Sequence, residues 1–509
     1  MHSIARKSTR AALGAGCSLA ALGLAAGAAH ATVTPSKLIE SGSVVVSTST
    51  YDRSQGAVAA LTAGVTQLSG TDSATVTAVA GNSYPTVWNN DGPDGSFGVT
   101  SPIVLEDINA DTGALLHTIS VPTSEVVTSF SSKSELGLHL NQDADGTHLV
   151  FVGYGLAGVG ALDVSNSDAV PGQDPTNPVT FAFGANYAHP RTIVSMDPYG
   201  NFSYTPTLNY GGNNGRAALL GSNGLYYSVG NANNGNAAAF GSANNGTNPD
   251  VTETTGLEAV APANLATFSS VTPPASSAEV DPLVQYKFGT KLDKPGKDNN
   301  YRGITEFNGA LYFTKGSGSN GYDTVYTVPS LPSVANAAAA TISIVPGFPN
   351  DSAKATGGNY TPFAVFFANA TTMYVTDEGS GNTTDATSHA GLEKWSLVGG
   401  TWQLDYVLTK GLFTTDKNLT GYDGPYPDVT TAGLRNLTGV VNKNGTVTLW
   451  ATTSTTSASG DNGADPNKVV KITDILPLKT LSGPVASESF TTVLGPTYGT
   501  VYRGVAYAQ

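Results

Sequence analysis

Six arginines lie beyond the first 31 residues, and three of them, Arg216, Arg302 and Arg503, open short apolar segments of one kind: RAALL, RGITEF and RGVAYA. Arg435 stands near a fourth such segment, about three positions early. A guanidinium offers a planar fork of donors that matches carboxylate and phosphate geometry. Arginines converging from separate segments would therefore suit an anionic ligand, such as a uronate-containing polysaccharide or a phosphate ester. Asparagines lead into two of these segments, with Asn213 and Asn214 before Arg216, and Asn299 and Asn300 before Arg302; Lys133 and Glu135 hold the matching place near Ser134. The same arginines would equally serve as struts, bonding carbonyls or carboxylates between segments, with Glu135, Asp298 and Glu306 neutralising them. Residue types alone leave both readings open.

A base is the next requirement for catalysis. Elimination from a uronate needs a cation on the carboxylate and a group to take the proton from carbon five. Five histidines lie beyond the first 31 residues: His117, His139, His148, His189 and His389. His139 follows Lys133 and Glu135 at even spacing, which shares a face in a regular strand, and His189 adjoins Arg191. Lys133, His139 and His189 are the catalytic candidates, against an ordinary structural role for each. Asp377 and Glu378 in DEGSGN, and Asp461 to Asp465, are oxygen-rich loops that could hold calcium, yet they lack EF-hand spacing and read equally as solvated turns. No HExxH, P-loop, dinucleotide fingerprint or GxSxG elbow stands in a suitable context. Trp88, Trp395, Trp402, Trp450, Tyr422 and Tyr426 could stack on sugar rings or fill a core.

The elements that must position these residues are strands. SVVVS, LVFVG, LYYSV, LYFT, MYVT and VTLWA are β-branched or aromatic runs, and Asp145-Gly146, Asn223-Gly224, Asn308-Gly309 and Asn444-Gly445 each precede one. Set in register, these hairpins form a degenerate repeat. Tyr301 to Val328 shows it best, and related units begin near Ser134, Arg216, Thr361 and Leu434, with a divergent one at Tyr84. The two chain ends supply a seventh, because YRGVAYA matches YRGITEF and SVVVSTS matches the strand that should follow it. The pattern predicts an all-β, seven-bladed β-propeller closed by pairing of its N- and C-terminal strands, which removes open sheet edges. In such a ring the leading ends of the inner strands meet at one channel mouth, so the arginines should converge there. Two stacked β-domains or a β-helix are the competing architectures.

The blades resemble those of secreted bacterial and fungal β-propeller proteins, through LYFTKGSGSNGYDTVYTV, MYVTDEGSG with GLEKWSL, and YRGVAYA. The pairing of MYVTDEG with GLEKW also resembles blades of β-propeller phytases and lactonase-like proteins. That resemblance covers most of the chain and implies a fold. A calcium phytase implies a dense acidic ring at the mouth, whereas the inner-strand starts here are Arg and Asn, so its catalytic residues are not carried over.

The ends and the composition set the location. Arg6, Lys7 and Arg10, then an Ala/Leu/Gly-rich stretch and Ala29-His30-Ala31, read as a cleaved signal peptide over residues 1–31, with a single domain over 32–509. The lone Cys17 falls inside the signal, so no disulfide is available to the remainder. A formal net charge of −14 repels nucleic acid, and no membrane anchor is expected after cleavage. With 40% hydrophobic and 12% charged residues the chain is globular. The expected function is a secreted, extracellular or periplasmic protein binding an anionic polysaccharide or another extracellular small molecule, and cleaving it as a lyase or hydrolase. The alternatives are a non-catalytic binding or surface-interaction module and a metal-dependent phosphate-ester hydrolase.

Overall fold

Asn308 and Gly309 both take positive φ, 51° and 74°, which makes a tight turn whose twist matches the strands on either side of it. Such hairpins recur through the computed structural model. It describes residues 36–54, 67–69, 75–77, 84, 98–130, 137–141, 148–161, 164, 189–207, 209–210, 215–230, 256–267, 277–281, 287–288, 291–292, 300–317, 321–350, 360–379, 389–422, 424–459 and 463–509. The signal segment, Lys133, Glu135 and Asn214 lie outside them.

Among the described residues six sheets have four strands or more, in a six-bladed propeller arrangement. Blade one orders Thr500–Tyr507, Ser43–Thr50, Ile103–Asn109 and Leu115–Ser120. Blade two contains His139–Asn141, Val126–Phe130, His148–Gly155, Arg191–Met196 and Phe202–Thr207, with a short edge strand Val99–Ser101. Blade three runs Gly215–Leu220, Tyr226–Gly230, Gly256–Val260 and Ser277–Glu279; blade four runs Tyr301–Phe307, Ala310–Lys315, Thr324–Val328 and Ser343–Ile344. Blade five runs Pro362–Asn369, Thr372–Asp377, Gly391–Val398 and Thr401–Leu408. Blade six centres on Val429–Val441, Thr446–Ser457 and Val469–Ile475.

The count is six where the repeat predicted seven. Among the described residues the unit expected from Tyr84 forms no sheet of its own: Ile103–Asn109 and Leu115–Ser120 complete the sheet of the two terminal strands. Tyr84 itself packs among Tyr51, Phe130 and Tyr426.

Strands such as Arg191–Met196, Tyr226–Gly230 and Thr372–Asp377 are buried on both faces because their sheets pack between two others. A hydrophobic cluster fills every junction: Leu105 with Phe151, Val152 with Ala218, Leu219 with Phe313, Val325 with Met373, Leu392 with Leu449, and Val46 with Trp450. At the last of these Trp450 stacks on Tyr507 at 5.1 Å and donates from Nε1 to Ala110 O at 2.8 Å. Deleting Tyr502 to Gln509 strips blade one of its inner strand and Trp450 of its partner. The expected result is loss of a cooperative melting transition by calorimetry; a truncated chain that melts as the full one does would show the junction to be dispensable.

Candidate anion site at the channel mouth

Five inner strands slip register near their starts, and the residue thrown out of step is Arg503, Arg216, Arg302, Phe363 or Arg435 in blades one, three, four, five and six. A bulge bends its strand and re-aims the extra side chain. Threonines of the neighbouring second strands fix the position: Thr314 Oγ1 donates to Phe363 O at 2.6 Å, Thr376 Oγ1 to Arg435 O, and Thr452 Oγ1 to Arg503 O at 3.4 Å. Arg435 therefore occupies the same register as Arg302, because Arg435-Asn436-Leu437 leaves and rejoins the ladder as Arg302-Gly303-Ile304 does, and no offset of three positions separates them. Glycine lets the blades close up here. A Cβ on Gly303 would lie 2.3 Å from Phe363 O, and one on Gly433 would lie 2.5 Å from Asp377 O.

Three of the arginines join one network. Arg302 Nη1 lies 3.3 Å from Glu378 Oε1, and Arg435 Nε lies 3.0 Å from Glu378 Oε2. Arg302 also donates to Ser317 Oγ and sits over the Phe363 ring, 5.7 Å from its centre. Asn300 links Arg216 to the rest, accepting from its Nη2 at 2.8 Å and donating to Ser317 Oγ at 2.9 Å. Burial would raise the Glu378 pKa, but Arg302 and Arg435 outweigh it and hold the carboxyl below its usual range. Arg503 turns instead to Gly463 O at 2.8 Å. Glu378, read from sequence as a weak calcium ligand, is thus the acid that pairs with Arg302 and Arg435. Asp377 points elsewhere, accepting from Thr361 and from Gly379 N. No group of three acids, histidines or cysteines able to hold a metal occurs among the described residues. The expected neutraliser Glu306 bonds Ser222 N and Oγ, and Glu135 and Asp298 lie outside the described residues.

A cavity of about 200 Å³ occupies the channel, lined by all six inner strands, with His139, Glu306, Phe367, Asn436 and Tyr507 among its walls. Burial lowers the His139 pKa to about 4, so it is neutral there. His189 precedes the third strand of blade two, away from the channel lining, and burial lowers its pKa as well.

His389 holds the corresponding place in blade five and was not among the sequence candidates. Its Nδ1 lies 2.5 Å from Glu393 Oε1, while Trp395 Nε1 and Tyr360 OH donate to Glu393 Oε2 at 2.7 and 3.1 Å. Glu393 is wholly buried and the histidine side chain keeps 30% of its surface. Desolvation raises Glu393 and pushes Asp377 up to about 7, with the charge of Glu393 adding to the latter. The signal was present in the sequence: Gly391-Leu392-Glu393 repeats Gly256-Leu257-Glu258, and Asn359-Tyr360 repeats Asn209-Tyr210.

No family model and no curated protein matches the chain. Similar solved structures include a glucose dehydrogenase (12% identity, 70% of this chain and 93% of that one, TM-score 0.31). Others are a β-xylosidase/α-arabinofuranosidase from a compost microbial metagenome (10%, 67% and 95%, 0.29) and an ulvan lyase (10%, 79% and 89%, 0.29). The latter two are propeller-type enzymes. At such scores none carries an argument about this chain, whose blade arrangement rests on its own strand pairing.

His139 gives the channel a pH signature. Between its ordinary value of 6.5 and about 4 the unfolded chain takes up a proton that the folded one refuses, so its contribution to stability is full above 6.5 and is lost as pH falls through that window. Replacing it by His139→Gln should flatten the acid side of the melting-temperature profile; an unchanged slope would place the acid sensitivity elsewhere.

Proposed function

We propose that this chain is an exported β-propeller, its mature domain spanning residues 32–509 and its ring closed by the terminal strands, that holds a uronate-containing polysaccharide at the channel mouth. The observation that carries the reading is the convergence of Arg302 and Arg435 on one carboxylate. Two guanidiniums against Glu378 leave a positive charge where water is largely excluded. Arg302 Nε is moreover buried without a hydrogen-bond partner among the described residues. A ligand carboxylate arriving there would gain charge-assisted bonds of the strong, bidentate kind. The side chains of Arg302, Glu378 and Arg435 keep 10, 12 and 13% of their surface, so the group is reachable from the mouth. Export is supported by the basic start, the small-residue apolar stretch and Ala29-His30-Ala31.

Calorimetric titration of the mature protein with uronate and neutral oligosaccharides tests this. Uronates should bind, and Arg302→Ala should weaken them by about tenfold or more, the loss of one charge-assisted contact, with little change in melting. A variant that loses stability and keeps its affinity would return Arg302 to a structural role, and failure of every uronate to bind would overturn the reading. Glu378→Gln leaves two partly buried guanidiniums without their counter-charge and should cost about 3 kcal/mol. Uronate should restore part of that loss in a thermal melt.

A further inference from the structure

We infer that Lys394 and Asp474 condense into an amide, a covalent bond from Nζ to Cγ that ties blade five to blade six. The chain has a single cysteine, Cys17, so no disulfide can join two of its strands. Lys394 lies on the third strand of blade five and alternates there with Leu392, which belongs to the apolar cluster between blades five and six. A lysine in such a row has no water to hold its charge. Asp474 lies on the third strand of blade six, opposite Val447 of the same cluster. The side chains of Lys394 and Asp474 keep 1% and none of their surface, and Nζ lies 2.7 Å from Oδ2. Among the lysine ion pairs of the described residues, this one alone has both partners enclosed: the acids paired with Lys315, Lys417, Lys468 and Lys471 are all partly or fully exposed.

The surroundings hold the two groups in reacting contact. Tyr374 and Tyr406 stand directly opposite Lys394 on the strands that flank it, so the three side chains share one face. Tyr406 OH donates to Asp474 Oδ1 at 2.6 Å, and Tyr374 OH donates to Oδ2. Lys394 Nζ is aimed by Ile475 O at 3.0 Å, Leu478 O at 2.8 Å and Tyr406 OH at 2.9 Å. Amine and carboxyl fixed against each other in this way react as if at very high concentration. A proton carrier adjoins them. Glu488 Oε1 accepts from Ile475 N at 3.0 Å, whereas Oε2 is buried and meets no donor among the described residues. Burial and the neighbouring Asp474 carboxylate push the Glu488 pKa up to about 8, so at neutral pH it carries a proton to give.

Condensation removes a cost that an ion pair retains. Two full charges in a dry junction keep a desolvation penalty that their attraction barely offsets, and an amide has no such penalty. Within the pair, Nζ passes one proton to Oδ2, leaving an amine and a carboxylic acid. The amine lone pair attacks Cγ, and Tyr406 OH stabilises the charge that develops on Oδ1. Glu488 gives its proton to Oδ2 and takes a second one from Nζ, so it ends as it began. The bond from Cγ to Oδ2 breaks, and Oδ2 leaves as water with both protons. Oδ1 remains as the amide carbonyl, and the last N–H proton faces the carbonyls of Ile475 and Leu478. Ammonium and carboxylate thereby become amide and water, and no co-reactant is consumed. Glu488 is half-buried, which gives the water a way out. The loop closed by the bond spans 80 residues, and cross-links over long loops constrain the unfolded chain most.

Peptide mass mapping of the purified full-length chain, denatured and cut with trypsin, tests the bond independently of any ligand. Wild type should yield the peptides of Lys394 and Asp474 joined, lighter than the two together by one water, and uncut after Lys394. Recovery of the two peptides separately at their full masses would overturn the inference. Lys394→Arg keeps a cation opposite Asp474 and should yield the peptides unjoined; a joined pair in that variant would show the bond to lie elsewhere and overturn the assignment. Glu488→Gln keeps the volume of the side chain and removes its proton transfer. It should slow the appearance of the joined peptide after synthesis by about 100-fold or more, the typical contribution of a general acid or base. Joining as fast as in wild type would overturn the part given to Glu488.

Discussion

The mouth depends on one repeated hydrogen bond, in which a threonine of one blade donates to the carbonyl of the bulged residue in the next. Thr314, Thr376 and Thr452 make it to Phe363, Arg435 and Arg503. Each contributes only about 1 kcal/mol, and the apolar clusters between blades stabilise far more. Hydrophobic packing is non-directional, however, and tolerates sliding of one sheet on another. The threonine does not. By fixing which carbonyl faces which strand it fixes which side chain is expelled at the bulge, and so where the guanidiniums stand.

Gathering arginines in a nearly dry place would be prohibitive without compensation, since unpaired buried charge is expelled or neutralised. Glu378 meets that need for Arg302 and Arg435, and Asn300 with Ser317 spreads the contact to Arg216 through neutral dipoles. Arg302 and Arg435 thus share a single carboxylate between them. The same blade that supplies Glu378 also holds the His389 and Glu393 pair.

Much of the architecture was legible because it is local. Alternating apolar runs and Asn-Gly turns identify hairpins without reference to the rest of the chain, and the arginines at segment starts announced their convergence. Relations across blades were harder. The Tyr84 unit read as a blade because its strands look like any others, but their partners are the chain ends. Arg435 looked displaced because only the strand pairing shows that Arg435-Asn436-Leu437 matches Arg302-Gly303-Ile304. Glu378 looked like a calcium ligand because DEG is acidic and glycine-rich, whereas its partners lie 57 and 76 positions away. His389 was passed over for histidines nearer the other candidates, although the repetition of Gly-Leu-Glu beside it was there to be read.

Ser47 Oγ accepts a hydrogen bond from Gly504 N, 457 residues further along the chain. A strand made at the beginning of synthesis thus has its partner made at the end. Until then Ser43–Thr50 presents a bare row of backbone donors and acceptors, and contacts of such long range are reached slowly. Blade one is consequently the last sheet that can be assembled, and the nascent chain must be carried, as a collection of incomplete blades, until its final eight-residue strand arrives.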